Sequence, residues 1–220
     1  MKSIYVAPLL LLGFVACGDD GDALTPVVDA ARIDAAIDAP AVCTVGPTFS
    51  DRGALVPSLC IEDERDPKDP ADSVIVLRAP LEAGSPFDEL ELQLWSGYGV
   101  FTNGFAPGKY AISGDELQFF TCGLCAFINS DRVDDNNYTD DYFATGGTIE
   151  LTSVAGRMTG TLTNVKFEHV SIVDSMTAPF GDGCESEVVA GTFDAAITPP
   201  PMMAKAHQAP RAKRSFRRQR

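Results

Sequence analysis

The 220-residue sequence predicts an all-β protein, an antiparallel β-sandwich with a β-barrel as the alternative, between an N-terminal tether and a C-terminal tail without a fold. Three observations predict it. Apolar and polar residues alternate with period two, as in Leu90, Leu92 and Leu94 against Glu89, Glu91, Gln93 and Trp95. About eight to ten such short segments are separated by turn signals at regular spacing, and no helical period follows Cys43. A composition of 45% apolar and 22% charged residues is too hydrophobic for a wholly disordered chain and too mixed for a multi-pass membrane protein. The organisation expected is residues 1–16 as a signal peptide, 17–42 as a tether, 43–198 as the β-domain and 199–220 as a disordered basic tail.

Met1-Lys2-Ser3 is a short positive start, and Ile4 to Ala16 is an apolar run of thirteen residues. A bilayer-spanning helix needs ~20, so the run reads as a signal peptide. The stretch Phe14-Val15-Ala16-Cys17 resembles the lipobox of bacterial lipoproteins, with Phe14 where that family usually has Leu or another aliphatic. The resemblance implies that Cys17 is lipidated and becomes the mature N-terminus. It implies in turn a chain exported and anchored in the cell envelope, and Gly18 after Cys17 implies the outer membrane. Lipoproteins of this type carry more than one acyl chain, and ~0.8 kcal/mol per buried methylene makes several chains a stable anchor. The other reading is an ordinary secretory peptide cleaved near Ala16. Residues 17–42 carry six Asp against Arg32 and no apolar stripe, the composition of a flexible tether.

Within the β-domain, Ser73 to Ala79 carries the consecutive apolars of a strand covered on both faces, and Asp88 to Trp95 alternates as a half-buried strand. Lys109 to Ser113, Glu116 to Cys122, Cys125 to Asn129 and Thr148 to Ser153 are further strands. In Met158 to Val170 the apolar parity changes from Met158, Gly160 and Leu162 to Val165, Phe167 and His169, which places a bulge at Thr163-Asn164. Val189 to Ile197 closes the domain, ended by Pro199-Pro200-Pro201 because proline cannot donate to a ladder.

Apart from Cys17, five cysteines remain: Cys43, Cys60, Cys122, Cys125 and Cys184. An exported chain forms at most two internal bridges from them and leaves one thiol over. The expected pairs are Cys43 with Cys60, and Cys184 with Cys122 or Cys125. A redox role for Cys122-Gly123-Leu124-Cys125 lacks the helix N-terminus that lowers a thiol pKa, and a zinc set of Cys122, Cys125, Cys184 and His169 lacks a second ligand pair at metal spacing.

No Gly-x-Ser-x-Gly, His-Glu-x-x-His or glycine-rich phosphate loop is present, which removes the common hydrolase, metalloprotease and nucleotide-binding signatures. His169 shares a face with Val165 and Phe167 and reads as a half-buried sheet histidine bonded to backbone. Asp134, Asp135, Asp140 and Asp141, in the acidic stretch Asp131 to Asp141, are candidate calcium ligands, since calcium takes six to eight oxygens. Trp95, Tyr98, Phe101 and Phe105, in a glycine-rich stretch, are candidate binding residues because aromatic rings dominate contact energetics.

The β-domain holds 25 acids against 8 bases, whereas Lys205 to Arg220 has seven bases and no acid. An acidic, exported domain excludes nucleic acid as a partner. The basic tail has the charge to meet anionic head groups. The function expected is a membrane-anchored envelope lipoprotein with a non-enzymatic domain that binds an envelope protein or glycan or serves structurally. The alternative is an exported carboxylate-dependent hydrolase acting on polysaccharide or peptide.

Overall fold

Period-two patterning becomes strand in β4, β8 and β10, and the strands form one continuous sheet. The computed structural model describes residues 42–64, 73–134 and 137–199. The signal peptide, Cys17, the tether, Asp135 and the basic tail lie outside the described residues. Ten strands follow one another: β1 (Phe49–Ala54), β2 (Leu59–Glu64), β3 (Ser73–Pro80), β4 (Phe87–Trp95), β5 (Gly108–Ala111), β6 (Leu124–Arg132), β7 (Asp141–Val154), β8 (Arg157–Val173), β9 (Met176–Pro179) and β10 (Glu185–Ala196). Among the described residues the only helical turns are of 3-10 type, at Gly99–Phe101 and Gly114–Leu117.

The strand order is β1-β10-β8-β7-β6-β4-β3-β2, with β5 beside β7 and β9 beside β8. Every pairing is antiparallel except that of β1 with β10, so the sheet is mixed. It curls into a half-barrel, the barrel-like form of the expected all-β fold. Its edges meet at one end, where the Glu62 N–H donates to the Thr198 carbonyl at 3.0 Å and the Thr198 N–H donates to the Cys60 carbonyl at 3.1 Å.

One face of the sheet carries the larger core. Leu77, Leu92 and Ala126 form one cross-strand row of it, and Ala79, Leu90, Ile128 and Tyr142 form the next, which ends on His169. The other face carries a smaller cluster around Trp95, Phe119, Phe127 and Phe143. The parity change in β8 falls at Thr163-Asn164: both side chains are exposed, Asn164 has φ 48°, and the buried set changes from even to odd positions there.

Three expectations are corrected. Strand β4 is buried on both faces rather than half-buried, because the carboxylates of its polar face meet cross-strand cations. Glu89 pairs with Arg132 (2.8 Å) and Glu91 with Arg78 (2.7 Å), and the Gln93 side chain links Glu91 to the Trp95 indole N–H. The segment Glu116 to Cys122 is a 3-10 turn and a loop rather than a strand. The buried Glu116 carboxylate accepts the main-chain N–H groups of Val100 (2.8 Å) and Leu124 (2.5 Å), which folds the segment back on itself.

The disulfides are Cys43–Cys184 and Cys122–Cys125, each with Cα atoms 5.4 Å apart. Among the described residues Cys60 is the free thiol. It sits on β2 opposite Leu77 in the larger core, and burial pushes its thiol up to about 11.

Candidate functional site

A cluster of ionisable and aromatic side chains forms where β7, β8 and the β9–β10 turn meet. Strand pairing sets Tyr142 opposite His169. On its other side, the His169 N–H donates to the Cys184 carbonyl at 3.0 Å, and the His169 carbonyl accepts the Phe180 N–H at 3.1 Å. The turn between is Phe180-Gly181-Asp182-Gly183-Cys184. Both glycines have positive φ, 71° and 77°, which lets the chain reverse tightly and aim Asp182 back at the sheet.

His169 has a partner at each edge and a ring on each face. Its Nδ1 lies 2.6 Å from Asp182 Oδ2, and its Nε2 lies 3.5 Å from Asp140 Oδ1. Phe180 stacks at 4.1 Å between centroids and Tyr142 at 5.2 Å, both nearly parallel to the imidazole. The ring is buried, and Nε2 has no hydrogen-bond partner among the described residues. Asp182 Oδ1 accepts the Cys184 N–H at 3.0 Å, and this bond, with the histidine, holds its carboxyl below the usual carboxylate range. Asp140 Oδ2 accepts the Thr44 hydroxyl at 2.9 Å, and the Asp140 N–H donates to Ser130 Oγ at 2.9 Å. The Cys43–Cys184 bridge fixes the neighbourhood of Thr44 to the same corner.

The expected site residues are dispersed. Asp140 faces His169, whereas Asp141 accepts the Asn129 amide at 3.0 Å and lies 3.5 Å from the Tyr138 hydroxyl. Successive residues of an extended chain point to opposite faces, so these two carboxylates do not converge on one ion. Asp134 lies in the β6–β7 turn, its carbonyl accepting the Asn137 N–H. Among the described residues no group of three His, Cys, Asp or Glu side chains is placed to hold a metal. The zinc set is excluded because Cys122, Cys125 and Cys184 are all in disulfides.

The four aromatic candidates do not form an exposed surface. Phe101 is fully buried in the larger core with Phe105 and Tyr110 packed on it edge to face, at 5.7 and 5.1 Å. Trp95 is 2% exposed in the smaller cluster on the opposite face of the sheet, with Tyr98 packed beside it. The glycine-rich stretch thus folds onto its own rings.

His169 also differs from expectation, since its ring is bonded to a carboxylate and only its main chain to backbone. The sequence reading missed Asp182. Its signal was present: a lone Asp between two glycines, two residues before a cysteine, has the composition of a tight turn that presents a carboxylate.

No protein-family model, no curated protein and no solved structure matches the chain.

Proposed function

We propose that the chain is an exported envelope lipoprotein, held on a membrane through Cys17, whose half-barrel domain has a binding or structural role and no catalytic one. The observation that carries this reading is the Cys43–Cys184 bridge. It joins the first described residues, which follow the acidic segment after Cys17, to the start of β10. Disulfides persist in oxidising compartments, so two of them fit a chain that leaves the cytosol. A staple at that point fits a domain that hangs from a tether.

The non-catalytic reading is supported by how the carboxylates of β4, of the 3-10 turn and of the His169 corner are used. Glu89 and Glu91 face arginines, Glu116 receives backbone N–H groups, and Asp140 and Asp182 flank a histidine. None of these pairs stands free across a cleft as glycoside hydrolysis requires. Envelope protein or glycan remains the partner class proposed.

The test is metabolic labelling of the full chain with an alkyne fatty acid, beside Cys17→Ser, followed by detergent phase partition. The wild type is expected to take the label and enter the detergent phase, and the variant to do neither. An unlabelled wild type that partitions into the aqueous phase would overturn the anchor and leave ordinary secretion.

A further inference from the structure

His169 sits between two carboxylates and two aromatic rings. Asp182 receives Nδ1 at 2.6 Å, a contact that requires the proton on Nδ1, because two acceptors would repel at that distance. In a neutral ring Nε2 would then present a lone pair. What it faces, at 3.5 Å, is another acceptor, Asp140 Oδ1, already oriented by Thr44 and Ser130. Above and below the ring lie the π-faces of Phe180 and Tyr142, which attract cations. A neutral imidazole leaves Nε2 buried and unsatisfied; an imidazolium donates from both nitrogens, one to each carboxylate.

We propose that Asp140, His169 and Asp182 form a proton-operated clamp: uptake of a proton at His169 Nε2 adds a second charged hydrogen bond, to Asp140, and fastens the Phe180–Cys184 turn to the entry of β7. The proton comes from solvent and is returned to it, with no other bond made or broken. The turn so fastened carries Cys184 and therefore the bridge to Cys43, so the clamp governs the order of the corner where the N-terminal segment joins the sheet. This inference rests on the corner alone and holds whether or not Cys17 is lipidated.

Around the ring, strand β7 and its entry contribute Asp140 and Tyr142 and the β9–β10 turn contributes Asp182 and Phe180, while Thr44, from the segment before β1, bonds Asp140. Glu168, paired with Glu185, alternates to the other face of β8, and Asp141 lies opposite Val170 on that same face.

The experiment uses the full chain with its disulfides intact. Nitrogen-15 spectra of the histidine ring report the protonation of His169, separated from His207 by the variant His169→Gln. Amide exchange of His169 and Phe180, whose N–H groups close the turn, is measured at pH 8 and pH 5.5 and corrected for intrinsic rates. Protection is expected to rise about tenfold on acidification, the factor that one added hydrogen bond to a charged group supports. In Asp140→Asn, which keeps the ring and its bond to Asp182, the rise should be lost. A ring whose Nε2 stays unprotonated at pH 5.5, or an equal rise in wild type and Asp140→Asn, overturns the proposal. So does protection at pH 8 that disappears with EDTA, which would assign the space between Nε2 and Asp140 to a metal cation instead.

Discussion

Reducing the Cys43–Cys184 bridge should cost this fold more than any other single covalent change. The bridge spans 141 positions. In the chain-entropy model, closing a loop of that length removes about 17 cal/mol/K from the unfolded chain, or about 5 kcal/mol at 25 °C. The expected pair Cys43 with Cys60 would have closed a far shorter loop, for about 3 kcal/mol, and Cys122–Cys125 closes the shortest, for about 2 kcal/mol. The perturbation is the double variant Cys43→Ser with Cys184→Ser, compared with Cys122→Ser and Cys125→Ser. For a domain of this size about 5 kcal/mol is a fall of roughly 10–20 °C in Tm. Urea titration followed by far-UV circular dichroism gives the free energies, and peptide mapping without reductant gives the pairing. Exchange with Cys60 should not blur the result, because its buried thiol, pushed up to about 11, forms little of the attacking thiolate. A loss below about 1 kcal/mol, or a map joining Cys43 to Cys60, would refute the reasoning.

Three further outcomes are expected. Burial pushes the Asp88 carboxyl from 3.8 up to about 6, helped by Glu82 and Asp131 and opposed by the Asp131 N–H that it accepts. An acid whose folded value is raised destabilises the fold when ionised, so stability gains from this group as pH falls from about 7 towards 4; Asp88→Asn should flatten that gain and raise stability at pH 8 by ~1–3 kcal/mol in urea titrations. Arg132→Leu should destabilise by about 3–5 kcal/mol because it leaves Glu89 buried without its cation, and the added change Glu89→Leu should recover most of the loss in a double-mutant cycle. A Cβ on Gly160 of β8 would lie 2.2 Å from the Glu150 carbonyl and 2.6 Å from the Phe193 ring, so Gly160→Ala should lower stability by ~1–3 kcal/mol in a thermal melt.

Strand identity was legible wherever packing follows period two. The apolar runs of β3 and β10 and the parity change at Thr163-Asn164 were readable because each side chain's face is fixed by its place along one strand. The short edge strands β1, β2 and β9 carry almost no such pattern. Asp51, Arg52 and Gly53 in β1 are exposed and are ordered by β10, a partner some 140 residues away. The cysteine pairing failed for a related reason. Proximity in sequence favoured Cys43 with Cys60, but the parallel pairing of β1 with β10 carries the chain before β1 to Cys184.

The polar face of β4 and the corner at His169 share the deeper cause. Alternation at Glu89, Glu91 and Gln93 is the pattern of a strand with one face in water, and nothing within the strand distinguishes that case from a covered one. The difference lies in Arg78, which β3 sets opposite Glu91, and Arg132, which β6 brings to Glu89 from the position opposite Phe87, and a charge can be buried only where such a partner waits. At the corner, Thr44, Asp140, His169 and Asp182 come from four parts of the chain, and their meeting depends on the sheet's curl and on one glycine-flanked turn. A pattern along one segment records which face a residue takes; what that face meets is set by the other strands. The chemistry of this protein lies in those meetings, which is why the sheet was readable from the sequence and the site was not.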